Sequence, residues 1–122
     1  MKLSTGVDLL EIERLQESID NHGERFLKRI YTKRELSQVG DNAASLAARF
    51  AAKEAVAKAL GTGIGEVSWQ DIEVLHGSEH EPVLYLHGKA QHYSQSLGLK
   101  IWSISLSHTA TLAIAMVVAM GD

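Results

Sequence analysis

The chain has 122 residues, of which 45% are hydrophobic, enough to form the core of one domain spanning residues 1–122. A net charge of −3 argues against general nucleic-acid binding, and the absence of cysteine excludes disulfides and thiolate metal sites. Asp8 and Glu11 interrupt the apolar start of the chain, and the longest apolar run, Leu112–Met120, is too short for a membrane-spanning helix. We therefore expect no signal peptide, no membrane association and a cytoplasmic location.

A short strand and a helix are the first predicted elements. Alternation of Leu3, Thr5 and Val7 on one face predicts the strand, in which Gly6 favours a close approach of another backbone segment. Asp8, with Glu11 three residues later, resembles a capping box and predicts that a helix begins there. On this interpretation both acids have a structural role.

Two further helices are predicted before the middle of the chain. Gly23 separates the first helix from a second over residues 24–31. Thr32 and Glu35 give another capping-box pattern, which predicts the start of a third, short helix.

The fourth predicted helix is long and rich in alanine. It covers residues 43–60, where nine of 18 residues are alanine, and Gly61 is its expected C-cap. The sequence GTGIG at 61–65 contains glycines spaced like those of phosphate loops. Such loops precede a helix, whereas these glycines follow one, so we interpret them as a cap and a turn.

The second half of the chain is predicted to form strands. A hairpin is expected over residues 72–87 around the turn at 77–82, followed by a short helix over 89–97. Apolar and serine residues alternate over 101–108, whereas 112–119 is apolar on both faces. In so small a chain the last strand predicts a subunit interface or a sheet covered by helices. The expected fold class is α+β, with helices first and an antiparallel sheet after them.

Glu54 lies at an unexpected place on the long helix. At 100° per residue it points in the direction of small and apolar side chains, a stripe that helices normally pack against their neighbours: Ala43, Ala47, Phe50, Ala51, Ala57 and Gly61. Lys58, four residues on, offers a routine ion pair as one explanation. The other is a crevice in which Asp8 and Glu54 hold Mg²⁺, with Lys58 reaching a phosphate oxygen.

Two other features leave alternatives open. Residues 25–34 contain five basic side chains and no acidic one, which is typical either of a solvated face or of a docking patch for an acidic partner. His108 ends the apolar face of the 101–108 strand, where it is either a structural histidine or, with Ser107 and Thr109, a donor to a phosphate.

Three segments resemble the motifs of one family. They are GVDLLEI from Gly6, RFAAKEAVAKALGTGIG from Arg49 and ISLSHT from Ile104, and they occur in the same order as in the 4′-phosphopantetheinyl transferases of the short holo-[acyl-carrier-protein] synthase type. The resemblance implies the fold of that family, in which N-terminal helices and a long alanine-rich helix pack on an antiparallel sheet. It also implies a homotrimer with active sites at the subunit interfaces.

The resemblance further implies a reaction. Coenzyme A and an apo acyl carrier protein are its substrates: a serine hydroxyl of the carrier attacks the β-phosphate, and adenosine 3′,5′-bisphosphate leaves. Asp8 and Glu54 match the Mg²⁺ ligands, and Lys58 matches a lysine near the pyrophosphate. Either Glu54 or a water molecule on the cation takes the serine proton.

The remaining matches concern substrate binding. Arg49 and His108 match groups that hold the 3′-phosphate of coenzyme A, from the adjacent subunit, and three arginines match basic positions that dock the acidic carrier helix: Arg14, Arg25 and Arg29. Two alternatives remain. One is a Mg²⁺-dependent hydrolase of nucleotide pyrophosphates, and the other is a non-catalytic module that binds coenzyme A.

Overall fold

The structure, a computed structural model, describes residues 1–122 and places helices against antiparallel strands, which is the predicted α+β class. In chain order the elements are β1 (Lys2–Glu11), α1 (Ile12–His22), α2 (Glu24–Ile30), α3 (Lys33–Val39), α4 (Ala43–Leu60), β2 (Ile72–His76), β3 (Pro82–Leu86), α5 (Gly88–Ser96), β4 (Ile101–His108) and β5 (Leu112–Gly121). A single 3₁₀ turn over Trp69–Asp71 leads into β2. None of the helices is long and apolar enough to cross a membrane.

The strands form two sheets, whereas a single sheet was expected. β5 lies between β1 and β4 in a three-stranded antiparallel sheet, and β2 pairs only with β3. In the larger sheet Asp8 is opposite Ala115, which is in turn opposite Leu106. Residues that are directly opposite share a face, so these three side chains belong to one row on one side of the sheet.

The two faces of the three-stranded sheet differ in burial. One face packs against α4 and carries fully buried small residues such as Ala115 and Val117. The other face carries apolar side chains that nothing in the chain covers, with exposed fractions of 67% at Leu3, 53% at Val7 and 49% at Met116. The last strand is therefore apolar on both faces, as predicted, but only one face is covered within the chain.

α4 begins at Asn42, whose side chain accepts a hydrogen bond from the Ser45 amide, and ends at Gly61 in the left-handed conformation. Its bounds are those predicted. β1 crosses the helix at Gly6, where an added Cβ would lie 1.9 Å from the carbonyl oxygen of Ala55. The expected close backbone approach at Gly6 is thus confirmed, and only glycine fits there.

The predicted capping box at Asp8 is wrong. β1 continues through Asp8 to Glu11, because β5 is long enough to pair with every residue of it, and the ladder supplies the backbone hydrogen bonds that a cap would otherwise provide. α1 therefore begins at Ile12, without a side-chain cap. The second predicted capping box is confirmed: Thr32 accepts from the Glu35 amide, and Glu35 accepts from the Thr32 amide.

A buried ion pair joins α3 to α4. The Lys53 Nζ lies 2.8 Å from the Glu35 Oε1, and both side chains are completely buried. Lys53 also donates to the carbonyl oxygens of Trp69 and Ile72, while the second Glu35 oxygen accepts from the Val74 amide at 2.8 Å. Every polar atom of the pair therefore has a partner, the condition under which buried charges are tolerated.

A second carboxylate, Glu73, joins the hairpin to α3. It accepts two hydrogen bonds from the Arg34 guanidinium and one from the Thr32 hydroxyl, and the His87 Nε2 lies 3.0 Å away. Burial alone would raise the pKa of Glu73, but the hydrogen bonds from Arg34, Thr32 and His87 outweigh it and lower the pKa to about 2.

Candidate active site

Asp8, Glu54 and Lys58 come together where β1 crosses α4. The contact of Gly6 with Ala55 fixes the distance between strand and helix, and Asp8 follows two residues later on the same face of β1. The Lys58 Nζ lies 3.1 Å from the Asp8 Oδ1 and donates to the Val7 carbonyl oxygen at 2.9 Å. Residues 50 positions apart in the chain thus form one polar cluster.

Glu54 lies on the most solvent-exposed strip of α4. Most of the helix is buried all round, but Phe50 and Glu54 are only partly buried and Lys58 is exposed. The stripe that the sequence suggested as a packing face is therefore partly open, and we refer to the partly exposed surface around Glu54 and Asp8, bordered by buried alanines, as the crevice. The ion pair expected between Glu54 and Lys58 is replaced by the one between Lys58 and Asp8.

Two carboxylates share this crevice, and their charges affect each other. Burial raises the pKa of Glu54 above its ordinary value, and the charge of Asp8 raises it further, whereas Lys58 lowers it. The pair of acids is thus incompletely neutralised by the one lysine. No group of three or more histidine or acidic side chains is close enough to form a metal cage by itself.

Arg49 lies away from this cluster, on another side of α4. It is 93% buried, its Nε donates to the Val74 carbonyl oxygen, and its terminal nitrogen lies 3.2 Å from the His76 Nδ1. Its guanidinium lines a cleft of about 480 Å³ between α4, the β2–β3 turn and β4. Within one chain the structure does not bring Arg49 to Asp8.

His108 is exposed at the end of β4, and its Nδ1 lies 3.3 Å from the Thr109 carbonyl oxygen. The register places it on the same face of the sheet as Asp8, two strands and two residues away. Strand spacing puts their Cα atoms roughly 12 Å apart.

The three arginines predicted to dock a carrier are exposed and free of ion pairs. Arg14 lies on α1, and Arg25 and Arg29 lie on α2, which packs against α1. Arg29 also lines a groove of about 490 Å³, together with Lys28 and the loop that follows α4, and no acidic side chain lines that groove.

Residues 4–117 match the family model described as the 4′-phosphopantetheinyl transferase superfamily. The chain belongs to that superfamily. The match extends from Ser4 in β1 to Val117 in β5 and includes every residue of the cluster at the crossing of β1 and α4.

Curated relatives and solved structures place this superfamily member with the short holo-[acyl-carrier-protein] synthases. The protein of that name from Herpetosiphon aurantiacus is 49% identical over 126 residues, covering 98% of this chain and 99% of its own. The structure of the Helicobacter pylori synthase in complex with coenzyme A has a TM-score of 0.87 and 32% identity, covering 95% and 99% of the two chains. The structure of the Bacillus anthracis synthase, in complex with coenzyme A (3′,5′-ADP), has a TM-score of 0.80 and 34% identity, covering 98% of this chain and 96% of the other.

Three residues of this phosphopantetheinyl transferase could not be singled out from spacing along the chain. His76 and His80 have no ligand spacing to Arg49, since the histidine paired with it is 27 positions away. Lys53 lies next to Glu54 in the motif but points into the core. Only the fold, not the spacing along the chain, shows these contacts.

Proposed function

We propose that Asp8, Glu54 and Lys58 form the site at which this holo-[acyl-carrier-protein] synthase transfers 4′-phosphopantetheine from coenzyme A to a serine hydroxyl of an apo acyl carrier protein. The observation that supports it best is the meeting of the two carboxylates and the lysine in a crevice, in a chain of this family. Synthases from Helicobacter pylori and Bacillus anthracis with this fold have been solved in complex with coenzyme A.

The residues at the crossing fit Mg²⁺. Two carboxylates that repel each other in a half-open crevice are the donor type and number with which proteins bind this ion, and phosphate oxygens and water complete its shell. When bound between Asp8 and Glu54, the ion would neutralise charge that develops on the pyrophosphate.

The side chains then have distinct roles in the transfer. The serine oxygen forms a bond to the β-phosphorus of coenzyme A, and the bond to the bridging oxygen breaks, so that adenosine 3′,5′-bisphosphate leaves with that oxygen. Glu54 is the carboxylate of the cluster that is not paired with Lys58, which makes it the group on this chain suited to accept the serine proton. Lys58 is half-exposed, and a lysine side chain is flexible, so it can turn from Asp8 to the departing phosphate. Such a reaction needs positioning and charge neutralisation above all.

A homotrimer would complete this site. Within one chain Arg49 and His108 lie apart from Asp8, and the outer face of the three-stranded sheet leaves Leu3, Val7 and Met116 exposed. We propose that these outer faces meet in the trimer and that Arg49 and His108 bind the 3′-phosphate of the coenzyme A held by a neighbouring Asp8. Light scattering after gel filtration should give three times the mass of one chain, and Met116→Asp should give a monomer with little transfer activity.

We further propose that Arg14, Arg25 and Arg29 dock the acidic carrier. These cations are exposed and unpaired, so complementary charge would steer the encounter and orient the carrier serine toward the crevice. The acid-free groove beside Arg29 extends this surface.

The decisive experiment is the intact mass of an apo carrier after incubation with this protein, coenzyme A and Mg²⁺. A gain of about 340 Da, the mass of one phosphopantetheine group, is expected from the transfer. Parallel samples without carrier test for hydrolysis. Rapid consumption of coenzyme A in them, or no mass gain on any of several carriers, would contradict the proposal.

A further inference from the structure

The last turn of α2 is held by a side chain from far along the sequence. The Gln70 Nε2, in the 3₁₀ turn over Trp69–Asp71, donates to the carbonyl oxygens of Lys28 and Tyr31. A primary amide has two N–H hydrogens, and here each has a carbonyl acceptor. Because both neighbours can only accept, the surroundings fix the orientation of the amide. Gln70 therefore caps the C-terminus of α2 from 42 and 39 positions away in the chain.

α2 depends on such a cap. It has only seven residues, and its N-cap, Gly23, has no side chain that could accept a hydrogen bond from the first turn. Two turns of isolated helix are unstable in water, so tertiary contacts must hold α2 in place. The buried side chains of Ile30 and Tyr31 fix the inner side of the last turn. Gln70 fixes the backbone of that same turn.

The 3₁₀ turn is in turn fixed to α4. The Lys53 Nζ donates to the Trp69 carbonyl oxygen at 3.0 Å. The Trp69 ring packs on the ring of Phe50, with 4.6 Å between the two centroids. Phe50 lies one turn before Glu54 on the partly exposed strip of α4. Trp69 and Gln70 therefore connect α2 to the strip that carries Glu54, through hydrogen bonds and aromatic packing.

This connection joins the proposed docking surface to the site of transfer. Arg25 and Arg29 lie on α2, and Arg29 directly follows Lys28, whose carbonyl oxygen accepts from Gln70. Gln70 also lines the groove beside Arg29. A guanidinium on a frayed turn binds a partner less tightly, because the turn must then be ordered on binding. The Gln70 cap orders the turn before the carrier arrives.

We propose that Gln70 is a positioning residue for the carrier: it holds the last turn of α2, and with it Arg29, in a fixed relation to Glu54. The inference rests on the proposed function, under which the partner of α2 is the acidic carrier. Gln70 has no charge of its own and acts through Arg29. Its effect on the carrier therefore disappears when Arg29 is removed, whereas a direct contact between Gln70 and the carrier would not depend on Arg29.

Gln70→Met tests the proposal, because methionine keeps the length of glutamine but has no hydrogen-bond donor. Hydrogen exchange in the free protein should become about fivefold faster at the amides of Ile30 and Tyr31 and stay unchanged in α4. In the mass assay with Mg²⁺ and saturating coenzyme A, the apparent KM for the carrier should rise about fivefold. The apparent KM for coenzyme A should not change. A merely structural defect would instead reduce the active fraction and lower kcat, with both KM values unchanged.

A double-mutant cycle with Arg29→Ala tests whether Gln70 acts through this arginine. In the Arg29→Ala background, Gln70→Met should change the KM for the carrier by less than about twofold, because residues that act as one unit are not additive. Gln95→Met is the matched control, since Gln95 is exposed on α5 and does not line the groove. It should leave hydrogen exchange and both KM values at their wild-type levels.

Three results would overturn the inference. They are wild-type exchange at Ile30 and Tyr31 in the Gln70→Met protein, a wild-type KM for the carrier, and an effect on that KM of the same size with and without Arg29. Failure of the proposed function is distinguishable from these, because the wild-type protein would then add no phosphopantetheine to any carrier. The exchange measurement needs neither a carrier nor transfer.

Discussion

Replacing Gly6 with alanine should separate the Asp8 carboxylate from α4. The added Cβ would lie 1.9 Å from the Ala55 carbonyl oxygen, and real contacts of this kind are not shorter than 3.0 Å. Because the obstacle is helix backbone, it cannot turn aside as a flexible side chain would. β1 must therefore retreat by about 1 Å, the difference between these two distances, and carry Asp8 away from Lys58 and Glu54.

The magnitude follows from this shift. Overpacking of this kind costs about 1–3 kcal/mol of folding free energy, which lowers the melting temperature by roughly 5–15 °C in a domain of this size. A displacement of about 1 Å in a site that acts by positioning costs about 100-fold in rate. We expect Gly6→Ala to be folded at 20 °C and to transfer phosphopantetheine about 100-fold more slowly.

Steady-state transfer measured by intact carrier mass, together with thermal unfolding, checks this expectation. Lys89→Ala is the control: it introduces alanine at an exposed position of α5, outside the outer face of the sheet and the crossing of β1 and α4. The control should keep most of the wild-type rate. A Gly6→Ala protein with wild-type rate and stability would refute the reasoning, and one that loses stability but keeps its rate would show that the strand does not position Asp8.

Four other variants test the remaining interactions. Asp8→Asn and Glu54→Gln keep size but remove charge, so each should lower transfer at least 100-fold at saturating Mg²⁺; near-normal rates would contradict the metal role. Arg25→Glu with Arg29→Glu should raise the apparent KM for the carrier more than tenfold and weaken its salt dependence, while leaving the KM for coenzyme A unchanged. Glu73→Gln should reduce the stability difference between pH 6 and pH 2.5 by up to about 2 kcal/mol, as measured by pH-dependent unfolding. The sign follows because the folded pKa of Glu73, about 2, is below its ordinary 4.5: its contribution is complete above pH 4.5 and is lost as pH falls toward 2.

Local signals were enough to predict the helices but not the end of β1. Alanine content, Asn42 and Gly61 give the bounds of α4 directly, because propensity and caps are properties of neighbouring residues. Asp8 and Glu11 satisfy the local pattern of a capping box, yet the ladder with β5, more than 100 residues later, decides the conformation. A contact between residues so far apart in the chain cannot be predicted from a pattern of a few neighbouring residues.

The residues of the candidate site could be predicted from local motifs, but most of their contacts could not. The family motifs point to Asp8, Glu54 and Lys58, but the Lys58–Asp8 pair and the Gly6–Ala55 contact that produces it come from tertiary packing. Arg49 shows most clearly what cannot be predicted from the sequence. Its position on α4 is visible in the sequence, whereas its burial against Val74 and His76 depends on where the hairpin lies.

The Lys53–Glu35 pair restricts the routes by which relatives of this protein can diverge. Losing either partner alone leaves an uncompensated charge in the core, at a cost of about 3–5 kcal/mol, comparable to the whole stability of many small proteins. Replacing both with well-packed apolar residues is close to neutral. Each single substitution at these two positions is therefore deleterious on its own. Related proteins should keep both residues or exchange both together. Their epistasis should persist at distances of ancestry at which the exposed face of α2 has changed freely.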